Sequence, residues 1–503
     1  LFNDLKKRYE MDTTDQSFQP NKYFQYDAIL GKWITDEMAG FEFEHIVGKL
    51  FYEKSIELII FRSQLFDRSS SVILYKHEYS VNTVGKPLKI QDSLLLAKAI
   101  YEMDIPPARI DIGRLNYEWT LEKDRFEGDA KEFVAEKLKD IIGKQPSYSG
   151  PRDVVLFGFG RIGRLLVREI IIQGDGSQLR VRAIVTRSTK PEDISKRIAL
   201  VRHDSIHGPF RGIAVENLND QTIYLNGHII KMLSATYPDE LDYTQYGIHD
   251  ALLIDNTGVY SDREGLSRHL IAKGISKVLL TAPARGDVPN IVYGVNHQNI
   301  DIDNENIFSA ASCTTNAVVP VLKVIEDKLG IVKGHIETVH SYTNDQNLLD
   351  NFHKKSRRGR SAPLNMVLTS TGAASAAAKV IPTLKGKLTA NAVRIPTPNV
   401  SLAILYLEVK NKTSVEEVNA LMKNAALHGD LVEQIRFSAS TEVVSSDFIG
   451  DPVAGIFDSP TTKVSEDGHS IVLYIWYDNE FGYTCQVMHL AKYLAKVEGY
   501  KYY

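Results

Sequence analysis

Two side chains in this 503-residue sequence have the type, setting and spacing for covalent chemistry. Cys313 is one of two cysteines, and it stands in Ser312-Cys313-Thr314-Thr315-Asn316, among small hydroxyl residues where an apolar helical pattern begins near Thr314. The N–H groups of a first helical turn are unpaired, and their partial positive charge favours thiolate over thiol. A nucleophile also needs a base. His340 ends the strand-like run "GHIETVHSYT", 27 positions after Cys313. One helix up and one strand back returns the chain to the same sheet end, so a thiolate–imidazolium pair is expected there.

A second feature is Gly158-Phe159-Gly160-Arg161-Ile162-Gly163, which follows the apolar run "DVVLF" and opens a helical pattern. Glycine patterns are common, but in a strand–turn–helix context this one is informative. The first glycine permits a tight turn, the second lets backbone approach a pyrophosphate, and the third allows close helix–sheet packing. The next strand, "VRAIVTRSTK", ends on Thr186, Arg187 and Ser188 rather than on the acid that binds a ribose 2′-OH. Hydroxyls and cations there suit a 2′-phosphate, so the cofactor is expected to be NAD or NADP, with 2′-phosphate acceptance favoured. A basic loop that leaves NAD preferred is the alternative.

These residues need elements to position them. "VRAIVTRS", "DALLIDNTG" and "KVLLTAPA" read as short buried strands alternating with helices, which implies an α/β parallel sheet over residues 151–312. From 313 to 483 come a helix, "NAVVPVLKVIEDKLG", and longer strands in "NAVRIPTPNVSLAILYLEV" and "SIVLYIWYD", as in an α+β domain. The C-terminal stretch 484–503 is amphipathic and expected to pack back on the first domain as a helix. Residues 1–150 differ: helical spacing over Phe43, Ile46, Val47, Leu50, Phe51, Ile56 and Ile59, and in "SLLLAKAIYEM" and "AKEFVAEKLKDIIGK" up to Gly143, predicts a mainly helical extension. It ends at the linker "KQPSYSGPRD".

Composition sets bounds. Hydrophobic residues make up 43% and charged residues 24%, the balance of a globular protein with a sizeable core. A net charge of -4 argues against nucleic acid as the main partner. Cys313 and Cys485 are too few and too scattered for a disulfide framework or zinc cage, and no metal is expected. No apolar run is long enough to span a bilayer, and the opening "LFNDLKKRYEMDTTDQSF" does not read as a secretory signal. A cytoplasmic protein is expected.

"GFGRIGR", "SCTTN", "HSYTNDQ", "SRRGRSAPLNMVLTSTGAA", "RIPTPNVS" and "WYDNEFGY" closely resemble the motifs of phosphorylating glyceraldehyde-3-phosphate dehydrogenase, in the family's order, from about residue 152 to 498. The resemblance implies a Rossmann domain plus a catalytic domain, assembled as a homotetramer. It implies that Cys313 attacks the aldehyde of glyceraldehyde 3-phosphate, that His340 takes the hydroxyl proton, and that the Cys313 N–H holds the oxyanion. A thioester follows, which inorganic phosphate cleaves to an acyl phosphate. Thr343 and Arg394 resemble the substrate-phosphate ligands; Ser312, Thr314, Thr371, Gly372 and Arg358 resemble the inorganic-phosphate ligands. Arg357 and Arg360 of "SRRGR" read as solvated charges. Asn479 matches the residue that holds the nicotinamide carboxamide, with Tyr483 nearby, and Thr257, Gly258 and Thr281 line the family's cofactor cleft.

Three departures stand out. Thr186 replaces the Asp of NAD-using members, and Asn351-Phe352 replaces a Leu-Pro pair beside the adenosine of a neighbouring subunit. Residues 1–150 are absent from common members and suggest a packing or regulatory module. Two rival readings remain: an erythrose-4-phosphate dehydrogenase without phosphorolysis, and a non-catalytic regulatory or nucleic-acid-binding relative. The full set of nucleophile, base and anion ligands opposes both.

Overall fold

The structure is a computed structural model that describes residues 22–174 and 176–503, so the opening segment read for a secretory signal lies outside the described residues. The N-terminal region folds around a core of its own, with Phe43, Leu50, Leu96, Ile100, Leu115, Trp119 and Phe133 at its centre. Helices Lys22–Lys54, Ser70–Tyr79, Ile90–Glu102, Ile112–Glu122 and Ala130–Lys137 make up most of it. Ile56 and Ile59, expected to continue the first helix, instead lie on the strand Ile56–Ile60. Ser55 at φ 52° turns the chain out of the helix. The run that follows is buried at every position, as in a strand covered on both faces. The last helix stops at Lys137, short of Gly143, because turns follow Leu138 and the Gly143 N–H is drawn to the Asp104 carbonyl at 2.9 Å.

That strand lies in a four-stranded sheet ordered Ser63–Gln64, Ile56–Ile60, Ala108–Asp111, Tyr500–Tyr502. The last three are mutually parallel, so the far end of the chain forms an edge of the extension's sheet. The C-terminal helix is therefore Phe481–Leu494, not 484–503. Lys496, at φ 56°, redirects the chain, and Tyr500–Tyr502 leaves for the extension.

Residues from Arg152 build an eight-stranded sheet ordered 307–309, 275–280, 251–255, 152–157, 179–186, 228–234, 222–225, 214–217. The first six are parallel and the last two antiparallel. The first strand in sequence, Arg152–Phe157, is central, with the next one on one side and Ala251–Asp255 on the other. The strand order reverses there, which opens the crevice where such folds bind dinucleotides. The C-terminal helix packs Tyr483, Val487, Met488 and Leu490 into this core.

A mixed sheet forms the other half, ordered 367–369, 388–395, 331–341, 401–409, 470–477, 455–458, 435–438. The helix Cys313–Lys328 packs on it through Val318, Val321, Leu322 and Ile325. Strand Ile331–Ser341 then runs back, so Cys313 at the helix start and His340 at the strand end share one edge.

Candidate active site

The helix starts at Cys313 because Ser312 caps it, its Oγ accepting the Thr315 N–H at 3.0 Å. Ala311 before it sits at φ 54°, a left-handed conformation that an alanine adopts at a cost. Two bonds hold it there: the Tyr483 hydroxyl donates to the Ala311 carbonyl at 3.0 Å, and the Ala311 N–H donates to Ser309 Oγ at 3.0 Å. Thr314 Oγ1 lies 3.0 Å from the buried Tyr477 hydroxyl.

Cys313 Sγ lies 3.6 Å from His340 Nε2. The other ring nitrogen, Nδ1, is 2.7 Å from the Ser341 carbonyl and 2.6 Å from Arg394 Nη1. Nδ1 can donate to the carbonyl or accept from the guanidinium, not both. When it donates, Nε2 carries the lone pair and faces the sulfur as an acceptor. Burial pushes the Cys313 thiol up, while Arg394, then the Thr314 hydroxyl and the N–H groups of Thr314 and Cys313, pull it back. Burial, then Arg394, pushes His340 down to about 3. Each charge alone is thus disfavoured, against the resting ion pair expected from the helix start. The two charges arise together by one proton transfer from sulfur to Nε2.

Two cations stand near this pair, Arg394 from the strand beside that of His340 and Arg358 from the short helical turn Ser356–Gly359. His340 is in register with Arg394, and Arg394 with Val367. Arg394 Nε is enclosed and has no hydrogen-bond partner, as a ligand fork awaiting an anion would be. Arg358 pairs with Asp345 and donates to Thr369 Oγ1 at 3.0 Å, within electrostatic reach of Arg394 and His340. Thr371 and Gly372 stand at the start of helix Ala373–Val380. Thr343 lies two residues beyond the His340 strand, half-buried. Ser312 is already engaged as the cap, and its hydroxyl lies 2.7 Å from Thr315 Oγ1.

The glycine turn fits a dinucleotide on three observations. Gly158 is at φ 93°. A Cβ on Gly163 would meet the Gly158 carbonyl at 2.6 Å, whereas one on Gly160 would meet nothing within 4 Å. The turn is thus tight where helix meets strand and open where a pyrophosphate would approach the helix Arg161–Gln173. The Arg161 guanidinium is spent on Asp204 and Glu480, and Ile162 packs on the core, so their backbone N–H groups are what face the turn. Asp255 Oδ1 accepts the Thr257 N–H and hydroxyl, each at 2.7 Å, and Thr281 Oγ1 donates to the Asp255 carbonyl at 3.1 Å. Gly258 turns at φ 66° beside them. Asn479 Oδ1 accepts from Ser401 Oγ at 2.9 Å, and its amide nitrogen has no partner among the described residues. Tyr483 is directed to Ala311 rather than into the cleft. Thr186 Oγ1 donates to the Ser188 carbonyl at 2.8 Å, and Ser188 Oγ donates to Asp193 at 2.6 Å. Arg187 is exposed and its side chain has no partner among the described residues.

Three contributors escaped the sequence reading. Tyr477 stands in a quoted motif but carries no charge to draw notice. Ser401 Oγ accepts the Ser341 N–H at 3.1 Å and so ties Asn479 to the His340 strand. Asp193 is in the first turn of a helix with Pro at its start, a signal legible in "KPED". Among the described residues no three His, Cys, Asp or Glu could hold a metal, and no helix is long and apolar enough to cross a membrane.

Two stretches of the chain match known protein families. Residues 152–263 match the glyceraldehyde 3-phosphate dehydrogenase NAD binding domain, and residues 312–479 match the C-terminal domain of the same enzyme. A glyceraldehyde-3-phosphate dehydrogenase-like protein of Pseudomonas aeruginosa is 48% identical over 90% of this chain and 98% of its own length, a span that takes in much of the N-terminal region. Glyceraldehyde-3-phosphate dehydrogenase 2 of Trichormus variabilis is 41% identical over 68% of this chain and 98% of its own. The chloroplastic glyceraldehyde-3-phosphate dehydrogenase A of Zea mays is 43% identical over 67% and 81%. The chain belongs to the glyceraldehyde-3-phosphate dehydrogenase family.

Proposed function

We propose that this protein oxidises and phosphorylates the aldehyde of D-glyceraldehyde 3-phosphate, reversibly, with NAD or NADP. The observation that carries the reading is the Cys313–His340 contact at 3.6 Å, with Arg394 against the imidazole and Arg358 within electrostatic reach of it. As the sulfur adds to the aldehyde carbon, Nε2 takes the thiol proton and returns it to the oxyanion, which the Cys313 N–H steadies. The product is a hemithioacetal. The bound nicotinamide supplies a hydride acceptor, and His340 withdraws the hydroxyl proton as the C–H bond breaks, leaving a thioester on Cys313. Phosphate attacks that carbonyl, the acyl phosphate departs, and the sulfur regains its proton. Arg394 and Thr343 hold the substrate phosphate; Arg358, Thr371, Gly372, Thr314 and Ser312 serve the attacking one. Asn479 offers its amide N–H to the nicotinamide carboxamide, fixing which ring face meets the substrate.

Assembly as a homotetramer is part of the proposal. It is supported by the loop after His340, where Leu348, Leu349, Phe352, Leu364 and Met366 are all more than two-thirds exposed, Phe352 at 92%. A steady-state assay with and without inorganic phosphate, using both cofactors, tests the function. Acyl-phosphate formation that requires phosphate is expected. Equal turnover without phosphate would favour a non-phosphorylating enzyme, and no turnover with either cofactor would sink the reading.

A further inference from the structure

The strand Leu179–Thr186 ends where a Rossmann fold receives the adenosine ribose, and it ends without an acid. A carboxylate arrives from the next element instead. Pro191 opens the helix Pro191–Arg202 with a φ suited to its first position, and Asp193 follows in the same first turn, where a carboxylate is favoured by the helix dipole. The connection is short. Ser188 Oγ donates to Asp193 Oδ2 at 2.6 Å and accepts the Lys190 N–H at 3.4 Å, and the Ser188 carbonyl accepts from Thr186 Oγ1 at 2.8 Å. Thr186, Ser188 and Asp193 are one hydrogen-bonded unit that ends in a carboxylate. The Ser188 hydroxyl, and after it Lys196, Arg197 and Lys190, hold that carboxyl below its usual range, so it is ionised at neutral pH.

We infer that Asp193 is the residue that discriminates a free ribose 2′-hydroxyl from a 2′-phosphate, in place of the acid missing from the strand end. The inference rests on the reading of this cleft as a dinucleotide site. A hydroxyl donated to Asp193 is not donated to a phosphate, and a negative charge one hydroxyl away from the 2′ position opposes a second one. Cations pull the other way. Arg187 is exposed and unpartnered among the described residues, Lys190 is exposed, and Arg197 Nε is enclosed without a hydrogen-bond partner. Neutralising Asp193 alone leaves a free serine hydroxyl among these cations, which is a 2′-phosphate site.

Binding separates this from activity. The dissociation constants of ADP-ribose and 2′-phospho-ADP-ribose are measured by titration calorimetry on the full chain, for wild type, Asp193→Asn and Asp193→Ala. Asparagine keeps an acceptor for Ser188 but loses the charge. The expected result is a shift of at least tenfold in the ratio of the two constants toward the 2′-phosphorylated ligand in both variants. If alanine shifts the ratio and asparagine leaves it within twofold of wild type, Asp193 only shapes the turn and the inference is overturned. An unchanged ratio in both variants overturns it too. If wild type binds neither ligand while Cys313 still reacts with an aldehyde, the dinucleotide reading itself falls, and the inference with it.

Discussion

The sulfur of Cys313 and Nε2 of His340 face each other at 3.6 Å, one from the first residue of a helix and the other from the penultimate residue of the next strand. Burial opposes a lone charge on either, so the thiolate forms when the imidazole accepts its proton. Replacing His340 with Gln keeps a polar side chain of similar length but removes the proton acceptor. We expect kcat to fall about 10²–10⁴-fold. The pH midpoint for alkylation of Cys313 should rise as well. An unmoved midpoint would show that the imidazole does not assist ionisation of the sulfur. Cys313→Ser should abolish turnover by several orders of magnitude in the same assay, since an alcohol lacks the thiolate's nucleophilicity.

The two proposed anion positions can be separated kinetically. Arg358 donates to Thr369 and pairs with Asp345, while Arg394 lies against His340. Arg358→Gln is expected to raise the KM for inorganic phosphate about tenfold and leave the KM for the aldehyde near its original value. Arg394→Lys keeps the charge but loses the fork, and should raise the aldehyde KM more than the phosphate KM. The reverse pattern would exchange the two assignments.

Two glycines of the turn should fail differently. Gly163→Ala places a methyl 2.6 Å from the Gly158 carbonyl, so the backbone must shift, at a cost of about 1–3 kcal/mol in unfolding free energy. Gly160→Ala meets nothing within 4 Å and should leave stability unchanged while weakening dinucleotide binding. Denaturant unfolding and calorimetry on both variants check this. Equal effects of the two on stability would remove the argument that Gly160 marks the ligand's approach.

Much of this site is legible in the sequence because its parts are local. "GFGRIGR" is a strand–turn–helix whose first and third glycines are demanded by close neighbours and whose second faces open space, and "SCTTN" carries both the thiol and its helix cap. The His340 position follows from one helix and one strand of ordinary length. What stayed hidden depends on contacts distant along the chain or on side chains with ordinary neighbours. Ile56–Ile60 has helical spacing in the sequence, and it is a strand because Ala108–Asp111 lies beside it. Nothing in "EGYKYY" announces that the chain's end will pair with that same strand. Asp193 lies beyond the strand end, in the following helix, and only a hydrogen bond from Ser188 brings it back to that end.

Acid should loosen the extension in a defined window. His77 is buried, with Nδ1 2.8 Å from the Ile73 carbonyl and Nε2 2.8 Å from Ser93 Oγ, and burial lowers its pKa to about 4. An unfolded histidine titrates near 6.5. Between these values the unfolded chain binds a proton that the folded chain refuses, so stability is intact above pH 6.5 and is lost as pH falls toward 4. The loss amounts to roughly 3 kcal/mol from this group. His77→Leu should lower stability at pH 7 and reduce proton uptake on unfolding at pH 5 by about one proton. Uptake equal to that of wild type would mean that His77 is protonated in the fold.

The tail should prove to be what clamps the extension to the body. Tyr500–Tyr502 adds a parallel strand to Ala108–Ile110, the Tyr502 hydroxyl donates to Glu118 at 2.6 Å, and the Tyr503 hydroxyl donates to Glu433 at 2.6 Å. Glu433 belongs to the catalytic half and also pairs with Arg109 of the extension, so Tyr503 closes a three-way contact. The C-terminal helix that delivers this tail begins just after Asn479, at the cofactor cleft. Deleting residues 500–503 removes the strand and both hydroxyl bonds but leaves the helix, Cys313 and His340 untouched. We expect the extension to lose roughly 2–4 kcal/mol of stability and to melt in a transition separate from that of the body. Hydrogen exchange at Ala108–Asp111 should rise, while Cys313 keeps its alkylation rate. A single unchanged transition with unchanged exchange would assign the docking to Arg62, which donates to the Val432 carbonyl at 2.8 Å and pairs with buried Asp111, rather than to the tail.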